Sequence, residues 1–582
     1  MEYYNKISIL FIIIILLGSC EEYLDVVPES GLDDEELFGN YQSYRGFNDQ
    51  LYEHMRDWHI RIGGLAATPG SVADLEQAGI SKNHITQHVY GDWYDRGAQF
   101  EVGWNQSNNN PRICSPIGNA WPAIRIANLS LENIELLKNA SKEEKDHILG
   151  QAYFFRAWNH FQLIRRYGGM PYFDKVFTSD MNMDIPRLTY RESTNKIIQD
   201  CEKAEDLLPH QWSDANLGRV TKAAAMSLKG IALLYDASPL MNNDPLDPTR
   251  NSYSYDLERA EEAAIALYDV IEYCDQTGIH QLHPGDSYRE IFLSRDKLIS
   301  QETIFWIHQN HRGLDWRGMF AAPGYAAPVS HSAPTQNAVD KYEMVNGLPY
   351  DDPESGYDPD KPYDNRDPRF YNNILYNGSQ WGENAAGQDQ YINSFIGGNQ
   401  HHGRVDGWTS YFNRKYWAET ANKWLKDYDY FMMWIHIRLS EIYLAYAEVV
   451  NELQGPDGSA PGASLTAWEA VNIIRNRVNM VDVHNKFKNQ DDFRERIRNE
   501  RAVELFSEHK RWFDLRRWHL LHLEEYRKVY RMRIEKLGEN SYSYNREEIE
   551  TYRRRYDDKH YWYPLPKDHI DMLNNLEQNP GW

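Results

Sequence analysis

Three glutamates near the C-terminal end have the spacing of one helix face. Glu500, Glu504 and Glu508 follow one another at intervals of four residues, and Arg511 comes next in the same pattern. A pair of carboxyl groups can serve as acid and base in glycoside hydrolysis, but the two groups must stand on opposite sides of a substrate cleft. Carboxylates that share a helix face with basic neighbours usually form ion pairs and hydrogen bonds. We therefore expect a structural charge network here and no enzyme active site.

Two other patterns have the residue types that bind metal ions. His84 and His88 are spaced like helical zinc ligands, but Ile85 occupies the glutamate position of the zincin motif and no third ligand follows. An acidic cluster lacks the glycine and terminal glutamate of a calcium-binding EF-hand, and Pro-Asp turns explain it better. Its members are Asp351, Asp352, Asp358, Asp360, Asp364 and Asp367. We predict no cofactor, with calcium left open as an alternative. No P-loop, nucleophile elbow or dinucleotide fingerprint occurs.

Most of the chain from Trp121 onwards has the hydrophobic period of α-helices. Capping boxes at Ser141–Glu144 and Thr189–Glu192 mark two helix starts. Helices are predicted at about 141–168, 189–208, 221–235, 256–274, 439–453, 465–479 and 491–518. Paired amphipathic helices indicate a mainly α scaffold of tetratricopeptide-like hairpins, which must be degenerate because the 34-residue consensus is absent. Long irregular loops with a few short strands complete the predicted fold.

Two long stretches, 57–120 and 280–430, are irregular and rich in Gly, Pro, Asn and aromatic residues. Loops of this length in a folded protein usually have a function, so we expect the ligand there. Trp121, directly before a helix, and Trp306, inside a strand-like run, are assigned to the core instead. Aromatic residues are abundant overall, with 18 Trp and 40 Tyr.

The N-terminus has the pattern of an export signal. Lys6 precedes an apolar run too short to span a bilayer, and the run ends in LGSC at 17–20. This sequence resembles the lipobox of bacterial lipoproteins, which implies that Cys20 is acylated and becomes the mature N-terminus. The following Glu21-Glu22 is similar to the acidic flank that directs such lipoproteins to the cell surface in Bacteroidota. The alternative is a plain secretory signal with a chance cysteine.

Charge and cysteine content narrow the possible roles further. The chain has 62 Lys+Arg against 86 Asp+Glu, a net charge of −24, and no basic stripe, so nucleic acid is excluded as a partner. Three cysteines besides Cys20 remain, namely Cys114, Cys201 and Cys274, and sequence cannot assign a pair among them. Cys201 and Cys274 lie in predicted helices, where we expect small buried side chains.

Several motifs in order resemble the SusD/RagB family of surface glycan-binding lipoproteins from Bacteroidota. They are YGGMP at 167–171, NRDPR at 365–369, RLSEIYLAYAE at 438–448, VNIIRNR at 471–477, ERAVEL at 500–505, RWFDLRRW at 511–518, YPLP at 563–566 and QNPGW at 578–582. Leu565 stands where Ile is more usual in that family, and Trp582 stands where Tyr is common. The resemblance runs from the lipobox to the last residue.

This resemblance implies a non-catalytic protein that captures oligosaccharide or polysaccharide at the cell surface. It also implies a partner, a TonB-dependent outer-membrane transporter of the SusC type, which the protein covers as a lid. The implied domains are a signal peptide at 1–19, a tether at 20–35 and one domain at 36–582. Within that domain we place an N-terminal helical half at 36–279, a ligand-platform region at 280–430 and a C-terminal helical half at 431–582.

The resemblance further implies a shallow aromatic platform in the irregular stretches. Rings of Trp and Tyr cover the C–H faces of sugars, while polar side chains satisfy the hydroxyl groups. The platform candidates are Trp93, Tyr94, Trp104 and Asn105, near Asp92 and Arg96, and Trp316, Tyr325, Trp381 and Trp408, near Arg317. Two alternatives stay open: the same lid for a peptide or another nutrient, and a surface glycoside hydrolase.

Overall fold

The computed structural model of this chain describes most of the helical scaffold and the stems of the loops. It describes residues 34–55, 77–79, 116–178, 181, 185–293, 299–309, 332–383, 387–401, 409–416, 432–550, 553, 557–573 and 575–582.

The described α-helices form the bulk of the structure. They are α1 (Asp34–Phe38), α2 (Tyr41–Glu53), α3 (Pro116–Glu132), α4 (Lys142–Tyr167), α5 (Tyr190–Leu207), α6 (Lys222–Ala237), α7 (Leu257–Thr277), α8 (Gln336–Asp340), α9 (Pro368–Asn373), α10 (Leu439–Gln454), α11 (Ala467–Asn476), α12 (Gln490–Glu504), α13 (Arg511–Arg517), α14 (Glu524–Arg527) and α15 (Lys567–Met572).

The described strands are short and pair into two-stranded antiparallel sheets. They are β1 (Gln77–Gly79), β2 (Thr303–Gln309), β3 (Ser332–Pro334), β4 (Ile374–Leu375), β5 (Gln380–Glu383), β6 (Asp389–Tyr391), β7 (Phe412–Asn413), β8 (Met432–Arg438), β9 (Tyr530–Lys536) and β10 (Tyr542–Glu548). The pairs are β1–β3, β2–β8, β4–β7, β5–β6 and β9–β10.

The long helices begin where local sequence signals place them. In the capping box of α4, the Glu144 amide donates to Ser141 Oγ at 3.1 Å, and the Ser141 amide donates to the Glu144 carboxylate at 2.8 Å. Thr189 and Glu192 form the same arrangement at the start of α5. These contacts satisfy amide groups that a helix start leaves without partners. Both predicted capping boxes are confirmed.

Neighbouring helices pack in the order in which they occur along the chain. α4 packs between α3 and α5, α6 packs between α5 and α7, and α7 contacts α10, which packs on α11 and α12. The main hydrophobic core follows this row from end to end. The predicted mainly α scaffold of stacked helical hairpins is confirmed. Among the described residues, none of the helices combines the length and the apolar character that crossing a membrane requires.

The helix predicted at 491–518 is wrong, because the structure contains two helices there. α12 ends at Glu504 and α13 begins at Arg511, and the turn between them has positive φ at Ser507 and His509. The Lys415 ammonium donates to the carbonyl oxygens of Glu504 and Phe506, each at 2.9 Å. A buried cation from a distant segment therefore takes the place of the backbone bonds that a continuous helix would make.

The C-terminal segment packs along the end of α4. The Tyr563 amide donates to the Arg166 carbonyl at 2.9 Å. The Asn579 side-chain amide donates to the carbonyls of Tyr167 and Tyr563 at 2.9 and 2.7 Å. These bonds fix the last residues of the chain to the N-terminal half of the scaffold.

Candidate functional site

A small sheet joins the two irregular stretches in which the ligand is expected. β1 pairs with β3, so that Gln77 lies opposite Pro334 and Gly79 lies opposite Ser332. The first group of platform candidates follows Gly79 in the sequence, and Trp316 and Tyr325 of the second group precede Ser332. Tyr325 is seven residues before Ser332, a span that reaches at most about 25 Å. The pairing therefore brings together one short run of residues from each irregular stretch.

A second ribbon fixes the other end of the same region. β2 pairs with β8, and Gln309 lies opposite Met432 at the end of the ribbon. Trp316 is seven residues beyond Gln309, so it too stays within about 25 Å of a fixed strand end. The segment between Gln309 and Met432 therefore starts and finishes at two paired strand ends.

The described segment that begins at Thr409 is fixed by a third set of contacts. Thr409 is buried, and its carbonyl accepts from the Met532 amide at 3.3 Å. Ser410 Oγ donates to the Met532 carbonyl at 2.6 Å, and β7 follows directly and lies beside β3. We call β1, β3, β7 and the paired ends of β2 and β8 the loop base. The loop base consists of described strands that flank, in the sequence, the platform candidates that the structure does not describe.

A buried charge network lies at the other end of the β2–β8 ribbon, where Thr303 is opposite Arg438. Arg438, the last residue of β8, donates to Glu302 Oε1 and Glu504 Oε1 at 2.7 Å each. It also donates to both carboxylate oxygens of Glu508, at 2.7 and 2.8 Å. Glu302 comes directly before β2, so one guanidinium group ties both strands of the ribbon to the end of α12.

The network continues away from the ribbon through further arginines. Arg369 pairs with Asp367 at 2.7 Å and with Glu504 at 2.9 Å, and it also contacts Glu500. Arg475 donates to Glu500 at 3.0 Å and to Glu343 at 2.8 Å. Arg477 bonds to Glu302 and Glu504. These carboxylates are all buried and all paired.

Burial and pairing shift the ionisation of these groups in opposite directions. Burial by itself raises the pKa of Glu504, but the guanidinium groups of Arg477 and Arg438 lower it well below its usual value. Burial lowers the pKa of the Lys415 ammonium to about 8, although Glu508 beside it acts in the other direction. Lys415 contacts Glu508 at 2.6 Å and lies over the Phe292 ring. Its side chain bridges β7 to the turn after α12.

The expected structural role of Glu500, Glu504 and Glu508 agrees with this geometry. Each carboxylate is bonded to Arg or Lys, and none of the three side chains reaches solvent. A hydrolytic pair needs access to substrate and a free acid or base. Only Glu500 and Glu504 lie on a common helix, because α12 ends before Glu508.

The structure places one of the eight platform candidates among the described residues. Trp381 lies in β5 with only 2% of its surface exposed, so its ring packs inside the fold and presents no open face. The other candidates lie outside the described residues, as does the acylation candidate Cys20. They are Trp93, Tyr94, Trp104, Asn105, Trp316, Tyr325 and Trp408. Trp121 and Trp306 pack against the main core, as expected for them.

The two sequence patterns with metal-binding residue types can be compared with the described structure in only one case. His84 and His88 lie outside the described residues. In the acidic cluster, the Glu354 amide donates to Asp352 Oδ1 and the Asp360 amide donates to Asp358 Oδ1, each at 3.0 Å, which are turn contacts. Within the described ranges, no group of three or more His, Cys, Asp or Glu side chains is arranged to hold a metal ion. Cys201 and Cys274 are free and buried.

Sequence reasoning missed two kinds of residue. No motif marks Lys415 or Glu302, because their partners lie far away in the chain. Three aromatic side chains in the described part are exposed, namely Tyr253 (50%), Tyr391 (52%) and Trp582 (36%). Tyr253 follows α6 in a turn of Asn and Ser residues, and nothing in its local sequence distinguishes it from a buried tyrosine.

Two family models match the chain. The first, described as the SusD family, matches residues 301–582. The second, described as starch-binding proteins associating with the outer membrane, matches residues 72–232. Among curated proteins, the SusD-like protein P2 of Formosa agariphila is 24% identical over 525 residues, which cover 88% of this chain and 90% of that protein.

Solved structures share the fold. A SusD-like protein from Bacteroides fragilis superimposes with a TM-score of 0.72 at 24% identity, covering 95% of this chain and 99% of the other. A SusD-like carbohydrate binding protein from the same species has a TM-score of 0.65 at 19% identity, covering 93% of this chain and 100% of the other.

Proposed function

The chain belongs to the SusD/RagB family, and from this premise we propose that it is a non-catalytic glycan-binding lipoprotein of the cell surface. It captures oligosaccharide or polysaccharide on its aromatic loops and delivers it to a SusC-like TonB-dependent transporter. The glycan is held by stacking on Trp and Tyr rings and by polar side chains at their edges.

The observation that supports this function most is the pairing of β1 with β3. Two stretches rich in aromatic residues are far apart in the sequence, and this sheet pairs residues just before the candidates of one with residues just after Trp316 and Tyr325 of the other. A glycan needs several rings within reach of one another, because each stacking contact contributes only about 0.5–1.5 kcal/mol beyond burial. A few such contacts give affinities near the millimolar to micromolar range, which suits capture followed by release.

The buried charge network supports a role without catalysis. The carboxylates with the most suggestive spacing in the sequence are neutralised by Arg and Lys inside the scaffold. Their work is to hold β2, β8 and the turn after α12 together, which keeps the loop base rigid. The hydrolase alternative would need a different pair of carboxyl groups.

Location and partner follow from the resemblance. Acylation at Cys20 would tether the chain to the outer membrane, and two or more acyl chains give stable anchoring. The helical scaffold then offers the surface for the transporter, since repeat surfaces commonly bind partners.

Affinity electrophoresis of the mature chain tests the proposal. The gels would contain soluble starch, xyloglucan, galactomannan, laminarin or pectic galactan, and we expect at least one of them to retard migration. The double variants Trp93→Ala/Trp104→Ala and Trp316→Ala/Tyr325→Ala should each weaken retention at least about fivefold, since each loses two rings. Leu217→Ala, which removes an exposed apolar side chain from the N-terminal helical half, is the control and should migrate like the wild type.

Two results would change the proposal. Unchanged migration in every gel would reject a glycan of these classes, and binding of a peptide mixture in calorimetry would then favour the peptide lid. If both double variants were retained as strongly as the wild type, glycan binding would stand, but the binding site would have to lie outside the aromatic loops.

A further inference from the structure

An exposed tyrosine ring lies on the helical scaffold, on segments other than the loop base. Tyr253 belongs to the connection between α6 and α7, and half of its surface is exposed. Its ring lies parallel to the His519 ring, with 3.6 Å between the centroids and 5° between the planes. His519 covers one face of the phenol ring, so the exposed surface is largely the opposite face. A flat, open aromatic face is the feature that stacks on a sugar ring.

The ring is held rigidly from below. His519 contacts the Tyr561 ring at 4.2 Å and the His522 ring at 4.7 Å. Tyr561 is buried, and its hydroxyl accepts from the His522 amide at 3.1 Å. Burial lowers the pKa of His519 to about 4, so this supporting ring is uncharged at neutral pH. The Tyr253 ring therefore packs on a cluster of aromatic rings, which fixes its orientation.

The turn that contains Tyr253 is equally well braced. The Ser252 amide donates to the Asn242 carbonyl at 3.1 Å, and the Asn242 side-chain amide donates to the Ser254 carbonyl at 3.1 Å. Asn243 and Asn251 form an isolated β-bridge across the turn. These contacts mean that little conformational entropy remains to be lost when a ligand binds. The same turn contains amide and hydroxyl side chains, at Asn242, Asn243 and Ser252, and such groups suit the hydroxyl edge of a sugar.

A second exposed ring lies next to the same surface. Asp558 is close enough to influence the ionisation of both Tyr253 and His519. The ammonium group of the next residue, Lys559, lies 4.4 Å from the centroid of the Trp582 ring. The Lys559 backbone carbonyl accepts a hydrogen bond from the Trp582 indole N–H at 3.0 Å. Geometry links the two rings through their neighbours, because His519 lies against Tyr561 and the adjacent His560 ring lies 5.7 Å from the Trp582 ring.

We propose that Tyr253, Trp582 and the polar side chains of 242–254 form a second sugar-contact surface, which takes a neutral pyranose unit of a bound polysaccharide. The inference rests on the proposed glycan-binding function and adds a second contact to it. Asp558 and the net charge of −24 disfavour an acidic sugar. A long polymer that touches both surfaces gains avidity from the second, because that contact is made within one complex. A short oligosaccharide has no such gain.

The test compares Tyr253→Ala with Leu217→Ala, since both side chains are exposed on the N-terminal helical half in the wild type. The probes are the polysaccharide from the starch, xyloglucan, galactomannan, laminarin and galactan series that retards the wild type most, and the tetrasaccharide of the same linkage. We expect Tyr253→Ala to weaken polymer binding about three- to tenfold and to leave tetrasaccharide binding to the loops unchanged. Leu217→Ala should change neither. Tyr253→Phe keeps the ring and should bind the polymer like the wild type.

Each other outcome separates this inference from the proposed function. Polymer binding by Tyr253→Ala equal to that of the wild type, with an unchanged melting temperature, would overturn the second surface and leave glycan capture standing. Failure of the wild type to bind any polysaccharide of the series would overturn both. A loss in Tyr253→Ala that Tyr253→Phe shares would assign the effect to the hydroxyl group and would overturn the stacking role.

Discussion

Glu448 is an example of how single residues of the family motifs work in this chain. Its carboxylate accepts from Arg517 Nη2 at 2.7 Å, from the Trp518 indole at 2.9 Å and from the Tyr255 hydroxyl at 2.8 Å. Burial raises the pKa of Glu448, but Arg517 outweighs that effect, and the pKa falls to about 2. The ionised form therefore stabilises the folded chain.

Replacing Glu448 by Gln should change the acid stability in a defined direction. The folded pKa lies below the ordinary value of 4.5, so the contribution is complete above pH 4.5 and is lost as the pH falls towards 2. The difference in unfolding free energy between wild type and Glu448→Gln should shrink by about 2 kcal/mol between pH 6 and pH 3. Urea unfolding at several pH values measures this, with the exposed Glu272→Gln as control. A difference that stays constant with pH would contradict the assignment.

At the residue scale, helical spacing predicted the charge pairing of Glu500 and Glu504, but the loop composition did not predict the burial of Trp381. Glu500 and Glu504 are one helical turn apart, so their common environment is a local property. The exposure of Trp381 depends on which face of β5 meets the rest of the fold, and that is decided by contacts distant in sequence. The same reason hides Tyr253, whose open face exists only because His519 lies beneath it.

The element that matters most for function is the sheet of β1 and β3. It is only three residues long in each strand, yet it pairs residues of two aromatic-rich stretches that are far apart in the sequence. Ala78 lies directly opposite Ala333, and residues that face each other in an antiparallel pair have Cα atoms about 4.5–5.5 Å apart. That separation is within the range that a disulfide bridges.

A cysteine pair should therefore trap this sheet. We expect Ala78→Cys/Ala333→Cys to form a disulfide under mild oxidation, detected by mass spectrometry of the unreduced peptides. The pair Ala78→Cys/Asn337→Cys is the control, because Asn337 lies in α8 beyond the end of β3. Equal cross-linking of both pairs, or none in the first, would mean that the two stretches do not meet as described.

Elements with local signals were predictable, and those with distant partners were not. The starts of α4 and α5 follow from their capping boxes, and the end of α7 follows from Gly278 in the left-handed conformation. The break between α12 and α13 escaped prediction, because Lys415 stabilises it from another segment. The β9–β10 hairpin was likewise not predictable, because it is stabilised by a second hydrophobic core in which Met532 and Ile534 pack against residues distant in the sequence.

At the scale of the whole molecule, the account predicts a tethered protein at the cell surface. Cys20→Ser removes the acylation site, so we expect this variant to leave the membrane fraction of a Bacteroidota host while the wild type stays in it. Added protease should degrade the wild type on intact cells if the acidic residues after Cys20 direct export to the surface. Membrane retention of Cys20→Ser would argue against lipid anchoring.

The central claim is that this chain holds a glycan without cleaving it. The most direct measurement titrates the mature wild-type chain with the polysaccharide that retards it in the gels, following binding heat and newly formed reducing ends in the same samples. The account predicts saturable binding with no increase in reducing ends over many hours. An increase that depends on protein concentration would contradict it, and so would a titration without any binding heat.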